Sequence, residues 1–285
     1  MNPEAMTVSR THRTPPYPRV FAVIDDVTGL APLVECAAGW AGIAADGGNA
    51  ARVRVAALAG RPMPSDATPH RPRDGLCGTA LLIAALETAR DALEARGLDV
   101  DMELLGAEPD GVPQTVALAH AARRWGTRLL IGGPDGAAPL ADAAGCPALV
   151  LPRAPVGGAS RTPPQRVFVA SDGSDASADA VREVARIVAP GTAVRVGYVA
   201  CEPQAGAHPA DYDAVVLPAE HTGDDVAHAI VQAALQWRAD LLVVGTHGGH
   251  PGARWRFASV AAQVARRSPL PLLIVPRATP AASRR

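Results

Sequence analysis

Leu241-Leu242-Val243-Val244-Gly245-Thr246-His247-Gly248 is the stretch from which the fold is read. Its first four side chains are aliphatic with no polar alternation, the pattern of an inner parallel strand buried on both faces. Gly245 and Gly248 then let the backbone approach a ligand closely, since neither carries a Cβ. Nine residues, 249–257, separate this turn from Ala258-Ser259-Val260, which opens a helical pattern lasting to about Arg267. Pro269 and Pro271 end it, and Leu272-Leu273-Ile274-Val275 is a second strand of the buried type. The order places Ser259 in a first helical turn, where free N–H groups and the positive end of the helix dipole favour an anion. Strand, glycine turn, loop and hydroxyl-bearing helix start together suit a phosphate.

Gly245-x-x-Gly248, nine residues, a small residue and Ser259 resembles the nucleotide loop of the universal stress proteins. The family pattern is Gly-x-x-Gly, nine residues, Gly, then Ser or Thr; here Ala258 stands for the third glycine. Val167-Phe168-Val169-Ala170-Ser171-Asp172-Gly173-Ser174 likewise resembles the family's first strand and its Asp-Gly-Ser turn. The resemblance implies an α/β fold built of doubly wound, Rossmann-like five-stranded parallel sheets, of the adenine nucleotide alpha hydrolase-like type. It also implies ATP, with or without magnesium, as the ligand. Asp172 is then expected at the adenosine part and Val199 at adenine through its backbone. Gly245, Gly248, Ala258, Ser259 and Val260 are expected around ribose and phosphates. Arg254, inside the nine-residue loop, is placed to neutralise phosphate charge, although a solvated loop arginine accounts for it equally well. Asp172 taken alone reads as a turn residue, Gly245 and Gly248 as turn geometry, and Ser259 as a helix cap. Their coincidence favours the ligand role.

The chain repeats itself. Asp25 precedes Asp172 by 147 residues. Trp125, Ala107-Glu108, Gly111, Gly133 and Gly136 precede Trp237, Ala219-Glu220, Gly223, Gly245 and Gly248 by 112. Pro147 and Pro152-Arg153 precede Pro271 and Pro276-Arg277 by 124. The second copy is therefore 35 residues shorter before its fourth strand, and the first is 12 shorter after it. In the second copy most of the loss falls within 200–214, too short for a counterpart of the helix expected over 79–96. In the first copy ten residues, 137–146, separate Gly136 from Pro147. They cannot supply both the loop and a full helix. The first copy is expected to keep the scaffold without the hydroxyl-bearing helix start, leaving one nucleotide site, in the second. Family members pack through their last strands, which here are 148–151 and 272–275, giving an intramolecular pseudo-dimer; a homodimer is left open.

The expected organisation is a disordered arm over 1–18, a degenerate universal-stress-protein domain over 19–153, and a Pro- and Gly-rich linker over 154–165. A second domain with the nucleotide loop follows over 166–277, then a tail over 278–285. In the first domain strands are expected over 19–24, 53–58, 100–105, 129–132 and 147–151. Helices are expected over 30–44, 79–96 and 113–125.

Composition narrows the function. Apolar residues make up 48% of the 285, enough for two cores, and aromatics only 4%, so those cores are built of Ala, Val and Leu. A net charge of −1 argues against a large unselective nucleic-acid surface. No apolar stretch is long enough to span a bilayer, and the N-terminus lacks the apolar core of a secretion signal. Cys36, Cys77, Cys146 and Cys201 show no paired spacing and are expected to be reduced, in a cytoplasmic protein. His247 and His250, with His221 and His228 upstream, lack a suitably spaced carboxylate or cysteine, so no metal site is expected. Neither a dinucleotide fingerprint nor a Walker loop occurs, and no nucleophile, base and orienter can be named. Two readings result. One is a non-enzymatic ATP-binding regulator of the stress response, acting on an unidentified regulatory protein partner, with slow ATP hydrolysis compatible. The other is a nucleotide-free interaction scaffold of the same fold. A weaker third is an enzyme of the hydrolase-like class.

Overall fold

The computed structural model describes residues 17–25, 29–42, 51–59, 74–106, 114–134, 137–153, 162–199, 213–217, 223–246 and 257–277. The first repeat runs β1 (Arg19–Ile24), α1 (Leu30–Gly42), β2 (Arg52–Leu58), α2 (Asp74–Glu94), β3 (Asp99–Leu105), α3 (Gln114–Trp125), β4 (Leu129–Gly132), α4 (Ala137–Ala144) and β5 (Ala148–Val150). The second runs β6 (Arg166–Ser171), α5 (Asp175–Ile187), β7 (Ala193–Val199), β8 (Asp213–Leu217), α6 (Gly223–Gln236), β9 (Leu241–Thr246), α7 (Phe257–Arg267) and β10 (Leu272–Pro276). The aliphatic runs are strands and the Ala-rich segments helices, as their composition directs. α2 begins five residues earlier than its Ala- and Leu-dense stretch suggests. The short segment after β4 still closes two helical turns, α4, although too few residues are present for a loop as well. Residues 200–212, where the sequence leaves no room for a counterpart of α2, lie outside the described residues.

The ten strands form one sheet in the order β3-β2-β1-β4-β5-β10-β9-β6-β7-β8. Within each half every neighbouring pair is parallel. The halves meet through one antiparallel pair, with Leu272 opposite Val150, Leu273 opposite Leu149 and Ile274 opposite Ala148. The expected contact between last strands is thus present, and it merges the two parallel sheets into one. The registers reproduce the sequence offsets: Val20 pairs with Leu129 as Val167 pairs with Leu241, and Leu130 with Ala148 as Leu242 with Leu272.

Merging changes where the cores lie. The sequence predicts two separate cores. Instead one core occupies each face of the sheet, and both run through both halves. One gathers Phe21, Trp125, Leu130, Phe168, Leu242 and Ile274 under α3, α4, α6 and α7. The other gathers Trp40, Leu93, Leu149, Val184 and Leu273 under α1, α2 and α5. Each repeat also carries the same clasp over its first two strands. Phe21 meets Trp125 at 6.2 Å and Phe168 meets Trp237 at 6.3 Å between ring centroids. Arg19 and Arg54 flank Trp125, and Arg166 and Arg195 flank Trp237.

One assignment at the boundaries differs from the sequence reading. Tyr17, which that reading places in the disordered arm, is 1% exposed. Its ring stacks edge-on against Trp40 at 5.6 Å, and its hydroxyl donates to Glu183 of α5 at 2.5 Å. Burial first, then the Glu183 charge, push the phenol well above its ordinary value of 10.0. Thr162, at the end of the linker, packs so tightly on α1 that a Cβ on Gly39 would lie 2.7 Å from its own Cβ. The first repeat thus grips the second beyond the strand pair. Among the described residues no helix is long and apolar enough to cross a membrane.

Candidate functional site

In an open α/β sheet, ligands sit beyond the carboxyl ends of the strands where strand order reverses. In the second repeat that point is β6, with β7 on one side and β9 on the other. α5 follows β6 on one face of the sheet and α7 follows β9 on the opposite face.

β6 ends at Ser171, so Asp172 is the first residue beyond it. Gly173 takes a positive φ of 77°, which turns the chain back into α5. The Asp172 carboxylate accepts from the Ser174 N–H at 3.0 Å and from its hydroxyl at 2.6 Å. Ser174 caps α5, its hydroxyl oxygen accepting from the Ser177 N–H at 3.3 Å. Beneath it the buried Ser171 hydroxyl donates to that of Ser177 at 3.0 Å and accepts from the Gly173 N–H at 3.2 Å. Asp172 is therefore held in one orientation by a hydroxyl-rich turn. Sequence reasoning gives Ser171, Ser174 and Ser177 no role; the Asp-Gly-Ser spacing before an Ala-rich helix was the available signal.

Gly245 does not end its strand as expected. β9 continues through Thr246, with Gly245 paired to Val275 and Thr246 to Pro276. A Cβ on Gly245 would lie 2.7 Å from the Ala176 carbonyl carbon and 3.1 Å from the Ser177 nitrogen. The glycine is what lets the first turn of α5 press onto β9. Val199 is the last residue of β7, one step beyond the Tyr198–Ser171 pair, so its backbone lies at the same sheet end as Asp172. Ala258, Ser259 and Val260 fall in the first turn of α7, where backbone N–H groups lack intrahelical acceptors; Val260 is buried. Gly248 and Arg254 lie outside the described residues, as do His221, His247 and His250. Among the described residues no three His, Cys, Asp or Glu side chains gather as metal ligands.

Residues 207–276 match the family model described as the universal stress protein family. Those residues of the second repeat belong to a universal stress protein domain. The fold shared with such proteins extends over nearly the whole chain. A universal stress protein from Archaeoglobus fulgidus DSM 4304 is 13% identical, aligned over 92% of this chain and 97% of that one, with a TM-score of 0.60. A putative universal stress protein from Pseudomonas aeruginosa UCBPP-PA14 is 15% identical over 92% of this chain and 94% of that one, with a TM-score of 0.53. No curated protein matches.

The first repeat has the same strand order as the second, but the contacts at its switch point differ. Asp25 follows β1 as Asp172 follows β6, and Gly133 is the counterpart of Gly245. A Cβ on Gly133 would meet not a helix backbone but the Asp25 carboxylate, whose Cγ would be 3.0 Å away. The Asp25 side chain therefore leans across the crevice onto the chain leaving β4. At Gly245 the nearest atoms belong to α5 instead. A cleft of about 880 Å³ opens at the other end of the second repeat, lined by Thr162, Pro164, Arg166, Pro190 and Thr192. Arg166, the one lining cation among the described residues, donates to the Trp237 carbonyl at 2.6 and 3.0 Å. The Asp172 turn and the starts of α5 and α7 lie at the opposite, carboxyl end of the strands.

Proposed function

We propose that this chain is a universal stress protein that acts as an ATP-binding regulator, with one nucleotide site, in the second repeat. The observation that carries the reading is the contrast between the two switch points. At β6 the aspartate is held back by Ser174, leaving it beside the ends of β7 and β9; at β1 its counterpart lies over Gly133. The residues fit an adenine nucleotide. A pre-oriented carboxylate suits the hydroxyl donors of adenosine, strand-end backbone at Val199 suits a base edge, and the first turn of α7 suits phosphate oxygens. Gly248, Arg254, Ala258 and Ser259 join that cradle by their places in sequence. Asp172 orients, the α7 turn stabilises charge, and the Gly245 contact fixes α5 relative to β9. ATP supplies a polyanion whose presence biases a conformation or a partner surface; the partner is a regulatory protein, and the chain works as a binder and not a catalyst.

The test is direct. Protein purified without added nucleotide is denatured and the supernatant analysed for adenine nucleotides, and stripped protein is titrated with ATP. The reading predicts one nucleotide per chain. Neither release nor binding at millimolar ATP would leave the nucleotide-free scaffold as the function.

A further inference from the structure

The antiparallel join of β5 and β10 brings a helix of the first repeat to the ligand end of the second. β5 begins at Ala148, which lies opposite Ile274, near the carboxyl end of β10. α4 ends at Ala144, just before β5, so its last turn sits at that end. Pro276 of β10 pairs with Thr246, so the last residue of β9 is there too. Asp142 belongs to that last turn of α4, and its carboxylate accepts a hydrogen bond from the Thr246 hydroxyl. Thr246 is 0% exposed even though it ends a strand.

Successive strand residues face opposite sides of a sheet. Gly245 is pressed against α5 of its own repeat, while Thr246 is bonded to α4 of the other. The end of β9 is therefore held on both faces, one by each repeat. The contact runs one way. The counterparts of Thr246 and Asp142 are Pro134 and Arg266, by the offsets of 112 and 124, and proline has no hydroxyl to donate.

We propose that Asp142 is a positioning residue for the ligand end of the second repeat. Nucleotide affinity of that repeat then depends on a carboxylate from the repeat that holds no site of its own. The proposal takes its ligand from the nucleotide reading above; the strut itself rests on geometry alone. Through the last turn of the shortened α4, the first repeat supports the strand that leads into the other repeat's nucleotide loop.

The experiment uses the full chain and two readouts. Hydrogen exchange of the segment containing Thr246 is measured without ligand, and ATP affinity by calorimetric titration. Asp142→Ala leaves a buried hydroxyl without its acceptor. It should speed exchange at that segment and weaken ATP by about tenfold, the scale of one lost hydrogen bond to a charged group. Asp142→Asn keeps a carbonyl acceptor and should restore most of both. Thr246→Val should resemble Asp142→Ala, and the double variant should be no weaker than either single one. Leu82→Ala, a core truncation in α2, should lower the melting temperature without changing ATP affinity. Unchanged affinity in Asp142→Ala, or no rescue by Asp142→Asn, overturns the proposal. If the unaltered protein binds no ATP, the nucleotide reading fails, and exchange alone then decides the strut: unchanged exchange in Asp142→Ala and Thr246→Val overturns it.

Discussion

Gly245→Ala and Gly133→Ala change the same motif glycine in the two repeats, and the structure predicts a loss at the first and little change at the second. At 245 the added methyl would lie 2.7 Å from the Ala176 carbonyl carbon and 3.1 Å from the Ser177 nitrogen. Both are backbone atoms of a capped helix turn, so relief requires moving α5 away from β9. Overpacking of this kind costs about 1–3 kcal/mol. Restricting the unfolded chain returns about 0.4–1 kcal/mol. At the centre of those ranges the net loss is about 1.3 kcal/mol, or roughly 3–5 °C in melting temperature for a chain of this size. At 133 the three atoms nearest the methyl all belong to the Asp25 carboxyl, the far end of a side chain and not backbone. The net change there is near zero. Displacing α5 also moves Ser174 and with it Asp172, so Gly245→Ala should weaken ATP while Gly133→Ala leaves it. Scanning calorimetry with and without ATP reads both effects. Equal melting temperatures for the two variants would refute the claim that the glycine at 245 is required by the helix.

Ser174→Ala removes the cap of α5 and the hydroxyl donor to Asp172; urea midpoints should show a loss of about 1 kcal/mol, and an unchanged midpoint would contradict the cap. Tyr17 has a folded-state pKa above its ordinary value, so its contribution is fully present below about pH 10 and is lost as pH rises through the folded value. Stability should therefore fall on the alkaline side, and Tyr17→Phe should flatten that fall while losing the bond to Glu183; an unaltered alkaline limb would contradict the burial of an ionisable phenol there.

Much of this fold could be read from residues because each repeat is locally consistent. Aliphatic runs bounded by glycine or proline form strands, and the offsets of 147, 112 and 124 reappear as strand registers. The positions that escaped were set by contacts distant in sequence. Tyr17 looks like part of a polar arm until Trp40 and Glu183 are placed around it. Gly245 reads as a turn glycine because the sequence does not show α5 lying on β9. Asp142 carries no local signal at all; its role comes from the antiparallel join of the halves. At the candidate site, Asp172 and the α7 start were readable from spacing. The serines that orient Asp172 and the collapse of Asp25 onto Gly133 were not, since both depend on side-chain direction.

The central claim is that one repeat binds and the other does not. Calorimetric titration of ATP into the unaltered protein, Asp172→Ala and Asp25→Ala tests it most directly. The account predicts a single site that Asp172→Ala weakens by about tenfold or more, the scale of a lost charged hydrogen bond, and that Asp25→Ala leaves intact. Equal loss from the two changes, or a second site abolished by Asp25→Ala, would contradict it.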